Sequence, residues 1–75
     1  MADQAAITGT TRLIAIVGDP VAHVRSPQIY NARLVAAGHD AVLLPVHLPE
    51  ARFETGMRGL MSIANLAGIV VTVPF

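Results

Sequence analysis

Three short apolar runs alternate with two segments of helical periodicity, and this alternation restricts the fold more than any other feature of the sequence. The runs are 12–17 (RLIAIV), 41–48 (AVLLPVHL) and 68–74 (GIVVTVP). The first run is almost continuously apolar, which is typical of a strand buried on both faces of a parallel sheet. The order β-α-β-α-β therefore predicts an α/β fold, a three-layer sandwich in which helices cover a mainly parallel sheet.

The first helical segment has clear start and stop signals. Ser26 directly precedes Pro27, which predicts a helix that begins there with the serine as its N-cap. Gly38 predicts the end of this helix in a left-handed conformation. Asn31 is interpreted as a structural amide that bonds a neighbouring loop. The apolar stripe expected to face the sheet consists of Ile29, Ala32, Val35 and Ala36.

The second strand and the second helix carry their own positional signals. Pro45 cannot donate a ladder hydrogen bond, so the run 41–48 is predicted to lie at an edge of the sheet. A helix is predicted from Glu50 onward, and Gly56 and Gly59 indicate close packing against the sheet. The apolar residues that recur along this helix every three or four positions are Phe53, Met57, Leu60, Met61 and Ala64.

Composition excludes several classes of protein. The chain has 75 residues, no cysteine and a net charge of zero, so it can bury one small core and has no sulfur ligand or thiolate nucleophile. The basic residues are scattered arginines matched by acids, which predicts no nucleic-acid partner. No apolar run is long enough for a membrane helix, the histidines lack metal-ligand spacing, and no signal peptide is recognisable. We expect a cytoplasmic protein without a metal, with residues 1–11 as a flexible N-terminus.

Two motifs resemble one enzyme family. The stretch 18–31, GDPVAHVRSPQIYN, resembles the G-[N/D]-P-x-x-H-S-x-S-P-x-x-x-N signature of shikimate dehydrogenases, and 68–75, GIVVTVPF, resembles their G-x-N-V-T-V-P-F-K segment. The resemblance implies that residues 12–75 form the first half of that family's substrate-binding domain. It further implies reduction of 3-dehydroshikimate to shikimate with NADPH, by an enzyme whose separate Rossmann domain binds the nucleotide. Quinate dehydrogenases share this plan.

The resemblance assigns candidate substrate-binding residues one by one. Ser26 matches the second serine of the signature, which in relatives helps to hold the substrate carboxylate. Thr72 matches the threonine that contacts a ring hydroxyl and the carboxylate side of the pocket. Val24 occupies the position of the first serine, so one donor to the carboxylate is missing. Arg25 and Tyr30 are the candidate substitutes for that donor.

These residues also have purely structural interpretations. Ser26 before Pro27 is explained by helix capping alone, although backbone N–H groups at a helix start attract a carboxylate as well. Thr72 is an ordinary strand residue, and its place at a strand end is what favours a ligand. His23 is interpreted as a loop histidine bonded to the backbone.

Other family features are absent from the sequence. Val70 stands where the family has asparagine, and the chain contains no lysine, whereas the family's catalytic lysine directly follows V-T-V-P-F. No catalytic residue is therefore assigned. No G-x-G-x-x-G occurs either, so NADP would be bound by a domain that is not present in this chain.

The chain is interpreted as a fragment that is inert alone. Its expected partner is a small molecule: shikimate, 3-dehydroshikimate or quinate. A homodimer is the candidate assembly. The alternatives are a dehydrogenase for quinate or another hydroxy acid, and a non-catalytic truncated binding module.

Overall fold

The computed structural model describes residues 6–72, which form a three-stranded parallel sheet with two α-helices. The strand order is β2-β1-β3, and both outer strands run parallel to β1. The predicted α/β class and the order of elements are thereby confirmed. The elements are β1 (Arg12–Gly18), α1 (Ser26–Ala36), β2 (Ala41–His47), a 3-10 turn (Glu50–Arg52), α2 (Phe53–Met61) and β3 (Leu66–Val71).

The core is centred on β1. This strand has a hydrogen-bonded neighbour on each side, and its residues Ala15, Ile16 and Val17 are buried. Val42 and Leu43 of β2 are buried beside it. Successive residues of a strand point to opposite faces, so burial of consecutive residues shows that both faces of the sheet centre are covered.

The order of the strands places the two helices on opposite faces of the sheet. The chain steps from β1 to β2 through α1, and then crosses β1 to reach β3 through α2. Crossovers between parallel strands are right-handed, and the two steps run in opposite directions along the sheet. The same handedness therefore puts α1 and α2 on different faces, which produces three layers.

The predicted edge position of β2 is confirmed. Within residues 6–72, β2 pairs with β1 alone, and Pro45 lies opposite Ile16. A proline in an edge strand leaves no central ladder bond unmade, because its missing N–H can face away from the neighbouring strand. The predicted third strand begins earlier than expected, at Leu66, and its predicted end at Pro74 lies outside the described residues.

The start of α1 differs from the prediction. The helix begins at Ser26 itself, Arg25 is its N-cap residue, and no side chain among residues 6–72 caps it. A capping serine needs an extended backbone, whereas the backbone is already helical at Arg25. The predicted serine cap is therefore wrong. The helix ends at Ala36, and Gly38 has the predicted left-handed conformation with φ 75°.

The predicted apolar stripe of α1 is wrong for most of its members. Ile29 is 49% exposed, and Ala32 and Ala36 are exposed as well. The side of the helix that is partly buried instead consists of Ser26, Pro27, Asn31, Leu34 and Val35.

A polar contact accounts for this rotation of α1. The Asn31 side chain donates from Nδ2 to the Leu43 carbonyl over 2.9 Å, and its Oδ1 accepts the Leu43 N–H over 2.7 Å. Both bonds satisfy backbone groups of the edge strand β2. The interpretation of Asn31 as a structural amide is confirmed, but its partner is a strand rather than a loop.

The second helix is shorter than predicted. Glu50 begins a 3-10 turn, α2 starts only at Phe53, and Ala64 lies beyond its end. Gly56 is closely packed, but its neighbour is the Leu48 side chain just after β2 and not a residue of the sheet. At Gly59 the expected close packing is not found, because no neighbouring atom of residues 6–72 lies within 4 Å of the position that a Cβ would take.

Hydrogen bonds connect the beginning of the described chain to the amino end of the sheet. The Thr11 hydroxyl donates to Asp40 Oδ1 over 2.8 Å, and the Thr10 hydroxyl donates to Asp40 Oδ2. Both bonds hold the pKa of Asp40 below its usual value, and the bond from Thr10 has the larger effect. The Thr8 N–H is bonded to the Thr11 hydroxyl over 2.9 Å. Residues 8–11 of the predicted flexible N-terminus are thus hydrogen-bonded among themselves and to Asp40.

The two glycines of α2 should respond differently to alanine. Gly59→Ala should stabilise the protein by about 0.5–1 kcal/mol, since alanine favours helix and has room there. Gly56→Ala should gain nothing or lose stability, because its new methyl group would overlap the Leu48 side chain. Urea denaturation of both variants measures the difference, and equal stabilisation by both would contradict the packing at Gly56.

Candidate functional site at the strand ends

The carboxyl ends of the strands meet at Gly18. The Val17 carbonyl accepts the Thr72 N–H over 2.9 Å, just after β3, and the Gly18 carbonyl accepts the Leu48 N–H over 3.1 Å, just after β2. The segments that follow the three strands are therefore joined at one edge of the sheet. Ligands of parallel sheets bind at this edge, so it is the candidate site.

Gly18 is needed at this junction because its surroundings leave no room for a side chain. A Cβ on Gly18 would lie 2.6 Å from Thr72 Cγ2 and 3.0 Å from Val21 Cγ1. Val21 is itself buried. The absence of a side chain thus lets Thr72 and the loop 19–25 pack directly against the end of β1.

The loop 19–25 connects β1 to α1 and is tied to the end of β2. Asp19 Oδ1 shares a hydrogen bond with His47 Nε2 over 2.7 Å, and Asp19 Oδ2 accepts the Glu50 N–H over 3.1 Å. Both bonds hold the pKa of Asp19 below its usual value, and the bond from His47 has the larger effect.

The middle of the same loop forms a turn. The Val24 N–H donates to the Val21 carbonyl over 3.0 Å and closes this turn. His23 lies within it and is exposed. The backbone bond expected for the His23 side chain stays a prediction.

Sequence reasoning assigned no role to His47 and none to Asp19 beyond its place in the signature. A signal for both was nevertheless present, since Asp19 directly follows the first apolar run and His47 lies near the end of the second. In a parallel pair such ends meet, and Gly18 is indeed in register with His47. Finding the pair required the register of β1 and β2, which periodicity does not supply.

Two of the predicted substrate-binding residues line a common groove. Ser26 and Tyr30 border an open cavity of about 500 Å³ on the α1 face of the sheet. Tyr30 is half exposed, and the Arg33 guanidinium carbon lies 5.6 Å from the centre of its ring, within the range of a cation–π contact. The rest of the lining is mostly apolar: Ile14, Ile16, Arg33, Leu34, Ala37, His39, Leu43 and Val70.

The other predicted residues lie near this groove in the chain but are not part of its lining. Thr72 packs at Gly18, at the carboxyl edge of the sheet. Val24 is half-buried, and Arg25 is exposed at the start of α1. The structure thus brings Ser26 and Tyr30 to one groove and leaves the remaining three candidates beside it.

Val70 makes the groove more apolar than the family motif implies. It is 47% exposed and lines the cavity at the position where the family motif has asparagine. Together with Val24, it places an apolar side chain where a polar one is expected. Among residues 6–72, polar groups near this edge include the hydroxyls of Ser26, Tyr30 and Thr72, the Arg25 guanidinium and the first N–H groups of α1.

This set of groups suits an anionic ligand that also carries hydroxyls. The free N–H groups and positive dipole end of α1 favour a carboxylate, and hydroxyl side chains can pair with ligand hydroxyls. Within residues 6–72, no three or more histidine, aspartate or glutamate side chains are grouped so as to hold a metal ion. The hydroxyl, guanidinium and N–H groups near this edge are of the kinds that can bind and orient such a ligand.

The parallel sheet with polar groups near its strand ends has the architecture of α/β domains, whose ligands bind at the carboxyl ends of the strands. The particular family follows from the sequence. The family model described as "Shikimate dehydrogenase substrate binding domain" matches residues 16–75. The chain belongs to this family, and the resemblance seen in its two motifs is confirmed.

Curated relatives agree with this assignment. The chain is 43% identical over 70 residues to a protein of Caulobacter vibrioides named shikimate dehydrogenase (NADP(+)), and the match covers 93% of the chain. It is 40% identical over 68 residues to a protein of the same name from Microcystis aeruginosa, with 91% of the chain covered. The matched part is 24% and 23% of these relatives, so the chain spans about a quarter of their length.

Solved structures share the fold. A shikimate dehydrogenase of Aquifex aeolicus matches with a TM-score of 0.85 and 34% identity, over 93% of this chain and 26% of that one. A shikimate dehydrogenase in complex with NADP+ matches with a TM-score of 0.87 and 25% identity, over 95% of this chain and 24% of that one. The described strands and helices therefore have the arrangement of one segment of those enzymes.

The junction at Gly18 should be sensitive to a single methyl group. Gly18→Ala should destabilise the protein by about 1–3 kcal/mol, because Thr72 and Val21 must move to accept the methyl group. Gly68→Ala is the matched control, since Gly68 lies in β3 with open space around it. Thermal unfolding of the two variants tests the contrast, and equal melting temperatures would show that Gly18 is not tightly packed.

Proposed function

We propose that this chain is the substrate-binding part of an oxidoreductase that reduces 3-dehydroshikimate to shikimate with NADPH. The observation that carries the proposal is that the family match spans both motifs, whose Ser26 and Thr72 follow strands of one parallel sheet at its carboxyl edge. Relatives that cover nearly the whole chain are named shikimate dehydrogenase (NADP(+)). The same names support a small-molecule substrate.

In the proposed site, Ser26 and the start of α1 hold the substrate carboxylate. Ser26 is partly buried, lines the groove and belongs to the first turn of an 11-residue helix. In the described part of the chain, the Ser26 hydroxyl makes no capping bond to α1, which leaves it available to a ligand. The helix dipole and free N–H groups favour the same negative charge. Thr72, packed at Gly18, orients a ring hydroxyl.

Val24 cannot donate a hydrogen bond to the substrate carboxylate, and two other residues are candidates to supply the missing donor. Arg25 is exposed at the start of α1 and carries a positive charge. Tyr30 lies one turn further along the helix and lines the groove with Ser26. Arg25 is the better candidate, because an Arg–carboxylate pair is charge-assisted, whereas Tyr30 already contacts Arg33.

The reaction itself needs groups that this sequence lacks. It contains no lysine for proton transfer and no G-x-G-x-x-G turn for a dinucleotide, so the residues present do not fit NADP. In the proposal, a separate domain binds NADP, and the 75-residue chain alone is inert. No helix of residues 6–72 has the length and apolar character to cross a membrane. A cytoplasmic location and a homodimer stay predictions.

Ser26→Ala should weaken substrate binding in the full-length protein. Loss of a hydrogen bond to a carboxylate should raise the KM for shikimate by about tenfold, with kcat changed less. Stability should be unaffected, because Ser26 does not cap α1. Ser62→Ala is the control, since its hydroxyl donates to the Gly59 carbonyl at the end of α2. Steady-state oxidation of shikimate with NADP measures both, and an unchanged KM for Ser26→Ala would refute the carboxylate role.

A second candidate function is favoured by Val24. The missing serine removes a donor that shikimate would use, so quinate or a related hydroxy acid is the alternative substrate. In that case kcat/KM should be higher for quinate than for shikimate. Val24→Ser should then change the ratio of the two kcat/KM values about tenfold in favour of shikimate. A large preference of the unaltered protein for shikimate would rule this alternative out.

The non-catalytic binding module is distinguished by the same assays. Absence of turnover of either hydroxy acid by the full-length protein, together with shikimate binding in calorimetry, would support the module. Turnover would exclude it.

A further inference from the structure

Asp19 joins three segments of the chain at the edge of the sheet that holds the candidate site. It is the first residue after β1, and its two carboxylate oxygens are bonded to different partners. One oxygen is bonded to His47, the last residue of β2, and the other accepts from the N–H of Glu50, the first residue of the 3-10 turn. The adjacent bond from Leu48 N–H to the Gly18 carbonyl reinforces the same connection.

This connection lies where the loop 19–25 leaves the sheet. The loop leads directly to Ser26 at the start of α1. Thr72 packs beside it, against Gly18 at the end of β1. A displacement of Asp19 would therefore move the start of α1 with respect to the residue that follows β3.

The Asp19–His47 contact is a partly exposed polar contact and not part of the buried core. The side chains of His47 and Asp19 are 55% and 31% exposed, and the distance from Nε2 to Oδ1 is 2.7 Å. A contact of this kind contributes little to global stability, but a hydrogen bond to a carboxylate is charge-assisted and directional. Loss of it should therefore affect the orientation of the loop more than the folding of the sheet.

We propose that Asp19 and His47 are positioning residues, whose contact holds the loop 19–25 against β2 and thereby sets the place of Ser26 relative to Thr72 for the substrate. The predicted effect on substrate binding rests on the proposed function. The positioning of the loop 19–25 rests only on the contacts described above. Neither residue is assigned a step in the reaction.

The test compares four variants of the full-length protein. Asp19→Ala and His47→Ala remove the contact. His47→Gln keeps an N–H donor near the position of Nε2 and is the conservative variant. Asp40→Asn is the matched control, because it alters an aspartate at the amino end of the sheet that is also bonded to two neighbours, Thr10 and Thr11.

Two measurements are made on each variant. The first is steady-state turnover of shikimate with NADP, resolved into KM and kcat. Asp19→Ala and His47→Ala should raise KM by about three- to tenfold while kcat changes by less than about twofold, whereas His47→Gln and Asp40→Asn should stay near the unaltered protein. The second is amide hydrogen exchange of residues 19–26, which should become faster in the two alanine variants only.

Each outcome decides a separate point. The expected result is faster exchange and a raised KM in the two alanine variants, with both quantities near those of the unaltered protein in His47→Gln. Unchanged exchange in the alanine variants would overturn the inference, as would equal effects in Asp40→Asn. If the unaltered protein turns over no shikimate, the proposed function fails, and the exchange data still show whether the contact positions the loop.

Discussion

The parallel pairing of β1 with both of its neighbours is the constraint on which the rest of the structure depends. Parallel strands require crossover connections, so α1 and α2 must return over the sheet and cover it. The pairing also brings all three carboxyl ends to the same edge. There the carbonyls of Val17 and Gly18, at the end of β1, accept the N–H groups of Thr72 and Leu48 and join the segments that follow the outer strands.

The polar groups at this edge suit the binding of a ligand better than proton or hydride transfer. The hydroxyls of Ser26 and Thr72 and the start of α1 can orient an anionic ligand, but the sequence has no lysine and no dinucleotide-binding turn. In the proposed enzyme, this chain therefore contributes recognition of the substrate. Val24 and Val70 make the edge more apolar than the family motifs imply, so the identity of the substrate depends on the groups that replace the missing donors.

Much of the fold could be predicted from local patterns, because apolar runs and helical periodicity report directly on burial. The parallel strands, the edge position of Pro45 and the left-handed Gly38 follow from such patterns. The rotation of α1 could not be predicted in this way. It depends on Asn31 bonding the backbone of Leu43, a contact between residues of two different elements.

The sequence by itself determined the class of fold, the family and the identity of the candidate residues Ser26 and Thr72, because motifs and periodicity are local properties. Only the tertiary structure decided that Ser26 does not cap its helix, that Gly18 must lack a side chain, and that Asp19 meets His47. These features depend on strand register and on the direction in which the chain enters α1. Both are set by packing between distant segments, which no local pattern records.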